Sequence, residues 1–462
     1  MLEDADFVLE RASELVAKIP HRLSVGTLQR RVKMPATVPR VARALRHRNY
    51  RLFFSGQSVS LVGTWITRVA TSWLVYRLTG SELLLGIVGF CGQIPTLLLT
   101  PFAGVFVDRS DKRRILLVTQ VLSLIQSALL AVLTLTNLIT VAQILILQLF
   151  QGAINAFDTP ARQALVVDMV EDRQDVPNAI ALNSSMVNGS RILGPSIGGV
   201  IIAAVGEGWC FALDAVSYVA VIVSILLMRF TRHVRDHPPV AMLRELSSAW
   251  RYVTGSIPIR SALLLLAIVS IAGVPYTVLM PAVAAQELHG GPNTMGVLMA
   301  ASGVGALLGG IYLASRSSVV GLGRVMLIGT LTFAVSLVLF SLVHTVWLAA
   351  PLLALAGGGF IVQMASTNTI IQTIVEERFR GRVMAFYTMA FFGTVPIGSL
   401  LSGLAAERVG AEMTIRFGGL ICFVSGLWFA SLLPVLRRLV RPIYVERGII
   451  VEPPVDPGTA TP

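Results

Sequence analysis

The sequence predicts an all-α membrane protein: twelve transmembrane helices in two six-helix halves, with both termini in the cytoplasm. Three observations predict it. Of its 462 residues 54% are hydrophobic and only 13% charged, more apolar surface than one water-soluble core could hide, so lipid must be the solvent. The apolar residues gather into stretches of about 20 with few charges, the length at which a helix crosses a bilayer. The cations are also sorted by side. Of 37 Lys and Arg, Arg77, Arg408 and Arg416 fall on one side and Arg68 and Arg191 inside spans. The rest lie in the termini and in loops of the opposite side, which the positive-inside rule makes cytoplasmic.

The spans are expected at 52–77, 83–106, 115–136, 139–160, 178–204 and 209–228, then at 261–286, 295–315, 325–345, 347–373, 383–405 and 417–436. This divides the chain into a basic cytoplasmic segment (1–47), a first half (48–228), a cytoplasmic linker (229–259), a second half (260–436) and a cytoplasmic tail (437–462). The first residues lack the apolar core and small-residue cleavage site of a cleavable signal peptide. Phe7, Val8, Ala12, Leu15 and Ile19 can share one face of a short cytoplasmic helix, or the segment is a disordered basic tail. The net charge of +12 is topogenic. The run Arg30, Arg31, Lys33, Arg40, Arg43, Arg46 and Arg48 faces anionic cytoplasmic lipid, and no nucleic-acid recognition motif accompanies it.

The linker opens with Arg232, His233, Arg235, Asp236, His237, Pro238 and Pro239, which cannot stay in hydrocarbon. Met242, Leu243, Leu246, Trp250 and Val253 follow at helical spacing with Arg244, Glu245 and Arg251 between them, the pattern of a helix lying in the interface. A faint internal repeat joins the halves: Val170-Glu171-Asp172-Arg173 before the fifth span and Val375-Glu376-Glu377-Arg378 before the eleventh. Each precedes a helix bearing Gly and Pro, the first with Gly194, Pro195, Gly198 and Gly199, the second with Pro396, Gly398 and Gly403. Parallel repeats of six helices are an architecture of secondary transporters, with the site at the interface between halves.

Ionisable residues inside spans mark pathways or pairs, because a charge in hydrocarbon is costly. Arg191 lies near the middle of the fifth span and Arg68 in the outer half of the first. Asp158 is near the cytoplasmic end of the fourth, and Asp214 near the outer end of the sixth. Depth pairs Arg68 with Asp214 and leaves Arg191 facing substrate or the amides Gln148, Gln151 and Asn155, stacked at i, i+3 and i+7 on the fourth span. Alternatively both arginines are static braces. Proton coupling has only Asp214 and Asp158 as carriers. Gly194 and Gly198, like Gly305 and Gly309, have the spacing that lets helices approach closely, and Pro195, Pro275 and Pro396 can bend their spans.

Several classes are excluded. No Gly-x-x-x-x-Gly-Lys-Ser/Thr phosphate loop is present, so ATP is not hydrolysed by that route. The absence of His-Glu-x-x-His and Gly-x-Ser-x-Gly counts against a protease or hydrolase. Cys91, Cys210 and Cys422 have no paired spacing, so neither disulfide nor metal is indicated. No enzyme activity and no cofactor are expected.

Between the second and third spans stands Gly104-Val-Phe-Val-Asp108-Arg109-Ser-Asp-Lys112-Arg113-Arg114, which resembles the cytoplasmic signature loop of the major facilitator superfamily. Asn188-Gly-Ser-Arg191-Ile-Leu-Gly194-Pro195-Ser-Ile-Gly198-Gly199 is similar to that superfamily's antiporter-type Gly-Pro signature. Asn155-Ala-Phe-Asp158-Thr-Pro160-Ala-Arg162 and Glu377-Arg378-Phe-Arg380-Gly381-Arg382-Val-Met-Ala resemble the transmembrane secretion effector branch, which includes siderophore and drug exporters. The equivalent loop after the eighth span, Gly310 to Arg324, has no aspartate and departs from the pattern. The resemblance implies that Asp108 is a latch holding the cytoplasmic side closed, pairing with Arg109, Arg113 or Arg162; the alternative is a helix-stop in a topogenic loop. It also implies that the first, fourth, seventh and tenth spans line a cavity. Their mid-depth side chains are Trp65 and Arg68; Gln148, Gln151 and Asn155; Tyr276 and Met280; and Gln363, Met364 and Asn368. Such a wall suits a bulky, mostly apolar solute with some polar groups.

The expected function is secondary export of small hydrophobic or amphipathic molecules by alternating access, by proton antiport, from a monomer in the plasma or inner membrane. Its partners are a small-molecule substrate, the bilayer and protons, not nucleic acid. A dedicated exporter of one metabolite such as a siderophore, an importer, and a non-transporting receptor or scaffold are the alternatives.

Overall fold

In the computed structural model the described residues are 40–228, 242–316 and 318–450. The expected helix near Phe7, the basic run from Arg30 to Lys33 and the linker opening at Arg232 lie outside them. The described chain is helical, with no strand among the described residues.

Among the described residues, ten helices are long and apolar enough to cross a membrane. In chain order with two further long helices they are α1 (Arg48–Thr79), α2 (Glu82–Arg109), α3 (Lys112–Leu135), α4 (Val141–Asp168), α5 (Val176–Val205), α6 (Glu207–Leu227), α7 (Ile257–Glu287), α8 (Pro292–Ala314), α9 (Leu322–Phe340), α10 (Val346–Ile374), α11 (Glu377–Val409) and α12 (Ala411–Glu446). The two that fall short of the apolar criterion are α1 and α5. Both are among the longest helices, and both carry an interior arginine and a row of Ser, Thr, Asn or Gln. Part of that row is buried against neighbouring helices, at Gln57, Ser60, Thr71 and Ser190. Lipid-facing positions stay apolar, as at Phe102, Val216 and Trp347, which are 74%, 67% and 89% exposed.

Local chemistry sets the helix ends. Gly80 closes α1 at φ +62°, and the Ser81 hydroxyl accepts from Leu84 N to start α2. Asp111 caps α3 through the amides of Arg113 and Arg114, and Thr140 and Gln143 form a capping box on α4, each satisfying amides that a helix start leaves free. α7 and α11 are interrupted. In α7, Pro275 and Pro281 break the ladder into a 3-10 turn, Val274–Thr277, and a π turn, Val283–Glu287. In α11 a π turn spans Met389–Gly393, ahead of Pro396. Proline removes a donor and clashes with the preceding turn.

The faint repeat has a structural counterpart. Each acidic-basic cluster is followed by a 3-10 turn, Arg173–Asp175 before α5 and Glu377–Phe379 at the start of α11. Each following span ends on a glycine of positive φ, Gly206 at +89° and Gly410 at +84°, a conformation that side chains other than glycine resist.

Within the first six helices α1 packs on α5 and α6, α3 on α4 and α6, and α2 on α4; among the last six, α10 packs on α8 and α9, and α12 on α7 and α9. Two seams join the groups, α2 against α11 and α5 against α8. The short helix Met242–Gly255 packs against α11 where Tyr252 stacks on Phe379 at 4.4 Å, while Trp250 stays 57% exposed.

Candidate functional site

The interior cations converge on one indole. The Cζ of Arg68 lies 4.6 Å from the centroid of the Trp65 ring and that of Arg191 5.8 Å from the same centroid. They meet because α5 presses onto α1 at Gly194, where any side chain would collide with Trp65. Among the described residues no carboxylate lies within ion-pair distance of either guanidinium.

The expected pairing of Arg68 with Asp214 does not form. Asp214 is buried on α6 and is held by hydroxyls: Thr67 donates at 2.9 Å, Ser127 at 2.7 Å and Ser217 at 3.5 Å. Thr67 precedes Arg68, and one residue turns a helix by about 100°, so the face meeting α6 carries the threonine while the arginine points elsewhere. Depth alone could not resolve that phase. Asp158 is likewise buried, accepting from Thr119 at 3.0 Å and Gln120 at 2.7 Å, with Arg162 at 3.5 Å.

Nor do the amides of α4 meet Arg191. Gln148 donates to Thr71 at 3.4 Å and Gln151 to Ser123 at 3.3 Å and Asn155 at 3.2 Å, so they tie α4 to α1 and α3. Arg191 instead lies at the α5–α8 seam: a Cβ on Gly303 would fall 3.2 Å from its carbonyl. Tyr276 of α7, its hydroxyl 2.6 Å from Ser302, is its neighbour from the other helix group.

In the last six helices the expected lining divides. Met280 and Gln363 are both 0% exposed; they belong to the core between α7, α9 and α10 and do not face a cavity. Met364 is partly buried, its carbonyl accepting from Tyr387 at 3.2 Å. Asn368 does line open space, a cavity of about 450 Å³ shared with Thr369, Gln372, Thr373, Arg380, Arg447 and Ile449.

The two ends of the bundle differ. At the end where α1 begins and α12 finishes, Asp108 and Arg109 are exposed without an ion-pair partner among the described residues, and Gly104 has open space around it. The arginines expected to serve Asp108 are engaged elsewhere, Arg113 with the carbonyls of Ile225 at 3.0 Å and Leu226 at 3.1 Å, and Arg162 with Asp158. At the far end the seams are drawn tight. A Cβ on Gly86 would fall 2.8 Å from Gly403 Cα, and one on Gly199 3.1 Å from Gly296 Cα. Glu407 of α11 accepts from the Ser81 hydroxyl at 3.0 Å and Leu83 N at 3.2 Å, and Gln286 of α7 donates to Glu82 at 3.0 Å. The sequence reading missed Glu82, Gln286 and Glu407. The available signal was Glu407 just past the end of the eleventh span, together with Glu82 directly after the cap Ser81. Pro195 is buried in the α5–α8 seam, Gly198 against Ile66 of α1, and Pro396 within α11, with Pro275 at the break in α7.

Two helix groups drawn tight at one end, with interior cations that have no carboxylate partner among the described residues, are the frame of a multi-pass membrane transporter. The chain belongs to the transmembrane secretion effector family of major facilitator transporters, whose signature matches residues 41–439. It is 27% identical over 390 residues to the staphyloferrin A transporter of Staphylococcus aureus, covering 82% of this chain and 96% of that protein. To the multidrug efflux pump Tap of Mycolicibacterium fortuitum it is 26% identical over 388 residues, covering 82% and 93%. The enterobactin exporter EntS of Citrobacter koseri is 27% identical over 411 residues, covering 87% and 96%. A bacterial homologue of the human lysosomal transporter Spinster, solved inward-facing and unoccupied, shares the fold with a TM-score of 0.64 at 14% identity, covering 86% of this chain and 98% of that one. A bacterial homologue of the iron transporter ferroportin gives a TM-score of 0.64 at 14% identity, covering 83% and 99%. The protein is therefore a multi-pass cell-membrane transporter and not an enzyme.

Proposed function

We propose that this transporter exports small hydrophobic or amphipathic molecules by alternating access in exchange for protons, as a monomer with both termini in the cytoplasm. The observation that supports this is the asymmetry of closure: the far end is drawn tight by Gly86 on Gly403 and by Glu407 on the start of α2, while Asp108 is exposed without an ion-pair partner among the described residues. With cytoplasmic termini this is a state open to the cytoplasm, from which an exporter loads. Asp108 then serves as the latch of the opposite state, made when the cytoplasmic side closes. Asp214 is the favoured proton carrier, being buried with hydroxyl partners only, and Asp158 is the second.

A dedicated siderophore exporter is the second reading, favoured by two relatives named for siderophores, the staphyloferrin A transporter and the enterobactin exporter. Uptake of a drug and metabolite panel into inverted vesicles, with and without an imposed pH gradient, tests both. Gradient-driven uptake of many unrelated solutes supports the broad reading, and uptake of one iron chelator the narrow one. Correctly inserted protein that moves nothing would leave a receptor or scaffold.

A further inference from the structure

The arginines elsewhere in this chain show how it holds such a group when the role is structural. Arg113 donates to the carbonyls of Ile225 and Leu226, Arg447 to that of Val375, and Arg416 to that of Ser341 while also pairing with Glu412. Arg77 makes a two-pronged contact with Glu207 at 2.7 and 3.2 Å. Each is satisfied by a fixed acceptor. Arg68 and Arg191 differ: among the described residues their guanidiniums have neither a carbonyl nor a carboxylate partner, and share only the face of Trp65. They are also close enough to repel each other. Two like charges within membrane-spanning helices are costly unless something offsets them.

Among the described residues the interior has no spare acid to do so. Asp214 is occupied by three hydroxyls, and Asp158 by Thr119, Gln120 and Arg162. Arg68 is nonetheless exposed, so it borders open space rather than a packed wall. Trp65 is fixed in place by the close approach of Gly194, and the hydroxyl pair of Tyr276 and Ser302 reaches the neighbourhood of Arg191 from the other helix group. A planar carboxylate is the partner that two guanidinium forks bind best, each through paired N–H donors. An apolar body attached to it would lie along the indole.

We infer, building on the exporter reading, that the substrate is an amphipathic organic anion whose carboxylate is held between Arg68 and Arg191 beside Trp65. The missing countercharge is supplied by the cargo, so the loaded interior is closer to neutral than the empty one. Cationic amphiphiles are then disfavoured by the same two charges.

The test uses purified full-length protein in lipid nanodiscs and three probes of one shape and three charges: 2-naphthoate, 2-naphthamide and 2-naphthylmethylammonium. Equilibrium dialysis, corrected with empty nanodiscs, gives their dissociation constants. The anion should bind tighter than the amide by about tenfold or more, the scale of one hydrogen bond to a charged group, and the cation weakest. Arg68→Gln with Arg191→Gln should bring anion and amide within about threefold of each other, whereas Arg68→Lys with Arg191→Lys should keep the order, since the charge remains. Should the double glutamine variant fail to give a monodisperse peak, Arg68→Gln alone, at the exposed member, carries the comparison.

The inference is overturned if the amide or the cation binds as tightly as the anion. It is equally overturned if naphthoate does not bind at millimolar concentration, or if the glutamine variant keeps the preference for the anion. Transport is not read in this assay. A reversed charge order in a protein with intact efflux therefore removes the anion class alone, while an anion preference in a protein that moves no solute removes the exporter reading alone.

Discussion

Gly86 of α2 and Gly403 of α11 stand backbone against backbone: a Cβ on Gly86 would fall 2.8 Å from Gly403 Cα and one on Gly403 2.7 Å from Gly86 Cα. Real side chains do not approach so closely, so this seam closes only because both positions lack one. Gly86→Ala should therefore hold the far end apart. Spin labels on α2 and α11 near this end should report a longer distance than in the parent, and transport should fall with α2–α4 packing intact. Unchanged distances with normal transport would show that the seam has slack.

Glu407→Ala acts on the same closure through hydrogen bonding. It removes the acceptor for the Ser81 hydroxyl and Leu83 N. Because Glu407 is exposed, the loss should be about 0.5 to 1.5 kcal/mol, which shifts the balance between closed and open far end by roughly 2- to 13-fold. Labelling of a cysteine placed in the far-end seam with an impermeant maleimide should speed up accordingly, and an unchanged rate would show that Glu407 bears no part of the closure.

Asp108→Asn tests the latch. In the structure Asp108 is exposed without an ion-pair partner among the described residues, so the substitution should alter thermal stability by no more than about 0.5 kcal/mol, as for ordinary surface changes. Transport should nevertheless drop strongly, because the charge is needed in the opposite state. Full efflux at normal expression would remove the latch role.

Asp214→Asn tests coupling. The asparagine carbonyl can still accept from Thr67 and Ser127, so folding should survive while the titratable group is lost. Uptake driven by a pH gradient should disappear, with substrate binding within about twofold of the parent. Gradient-driven uptake that persists would transfer the carrier role to Asp158 or abolish it.

Gly410→Ala tests the repeat. At φ +84° a Cβ costs about 1 to 2 kcal/mol, and the same penalty is expected for Gly206→Ala at its counterpart. Thermal unfolding in detergent should show both, and a neutral effect at either position would mean that its φ readily relaxes.

What could be read from the sequence was whatever depends on the chain locally. The apolar stretches located the spans, although the helices overrun them by up to ten residues, α12 reaching Glu446 against an expected end at 436, and the Asp108 loop and Gly194-Pro195 helix carried the family. Even α1 and α5, too polar for a simple hydropathy criterion, were legible because their interruptions are spaced along otherwise apolar helices. The site was less so. Trp65, Arg68 and Arg191 were identified singly, but their convergence on one ring was not.

The reason is rotational. Hydropathy, capping and charge sidedness are properties of a segment and its solvent, so the sequence by itself determined that this chain crosses a membrane and where. Which residue of Thr67 and Arg68 meets Asp214, whether Gln148 and Gln151 reach Arg191 or their own neighbours, and whether Met280 and Gln363 face a cavity or the core all depend on helix phase, about 100° per residue. They depend equally on how closely two backbones can approach. Those were decided only by tertiary packing, in which the missing side chains of Gly86, Gly194 and Gly403 set the seams and the seams set what each polar group could touch.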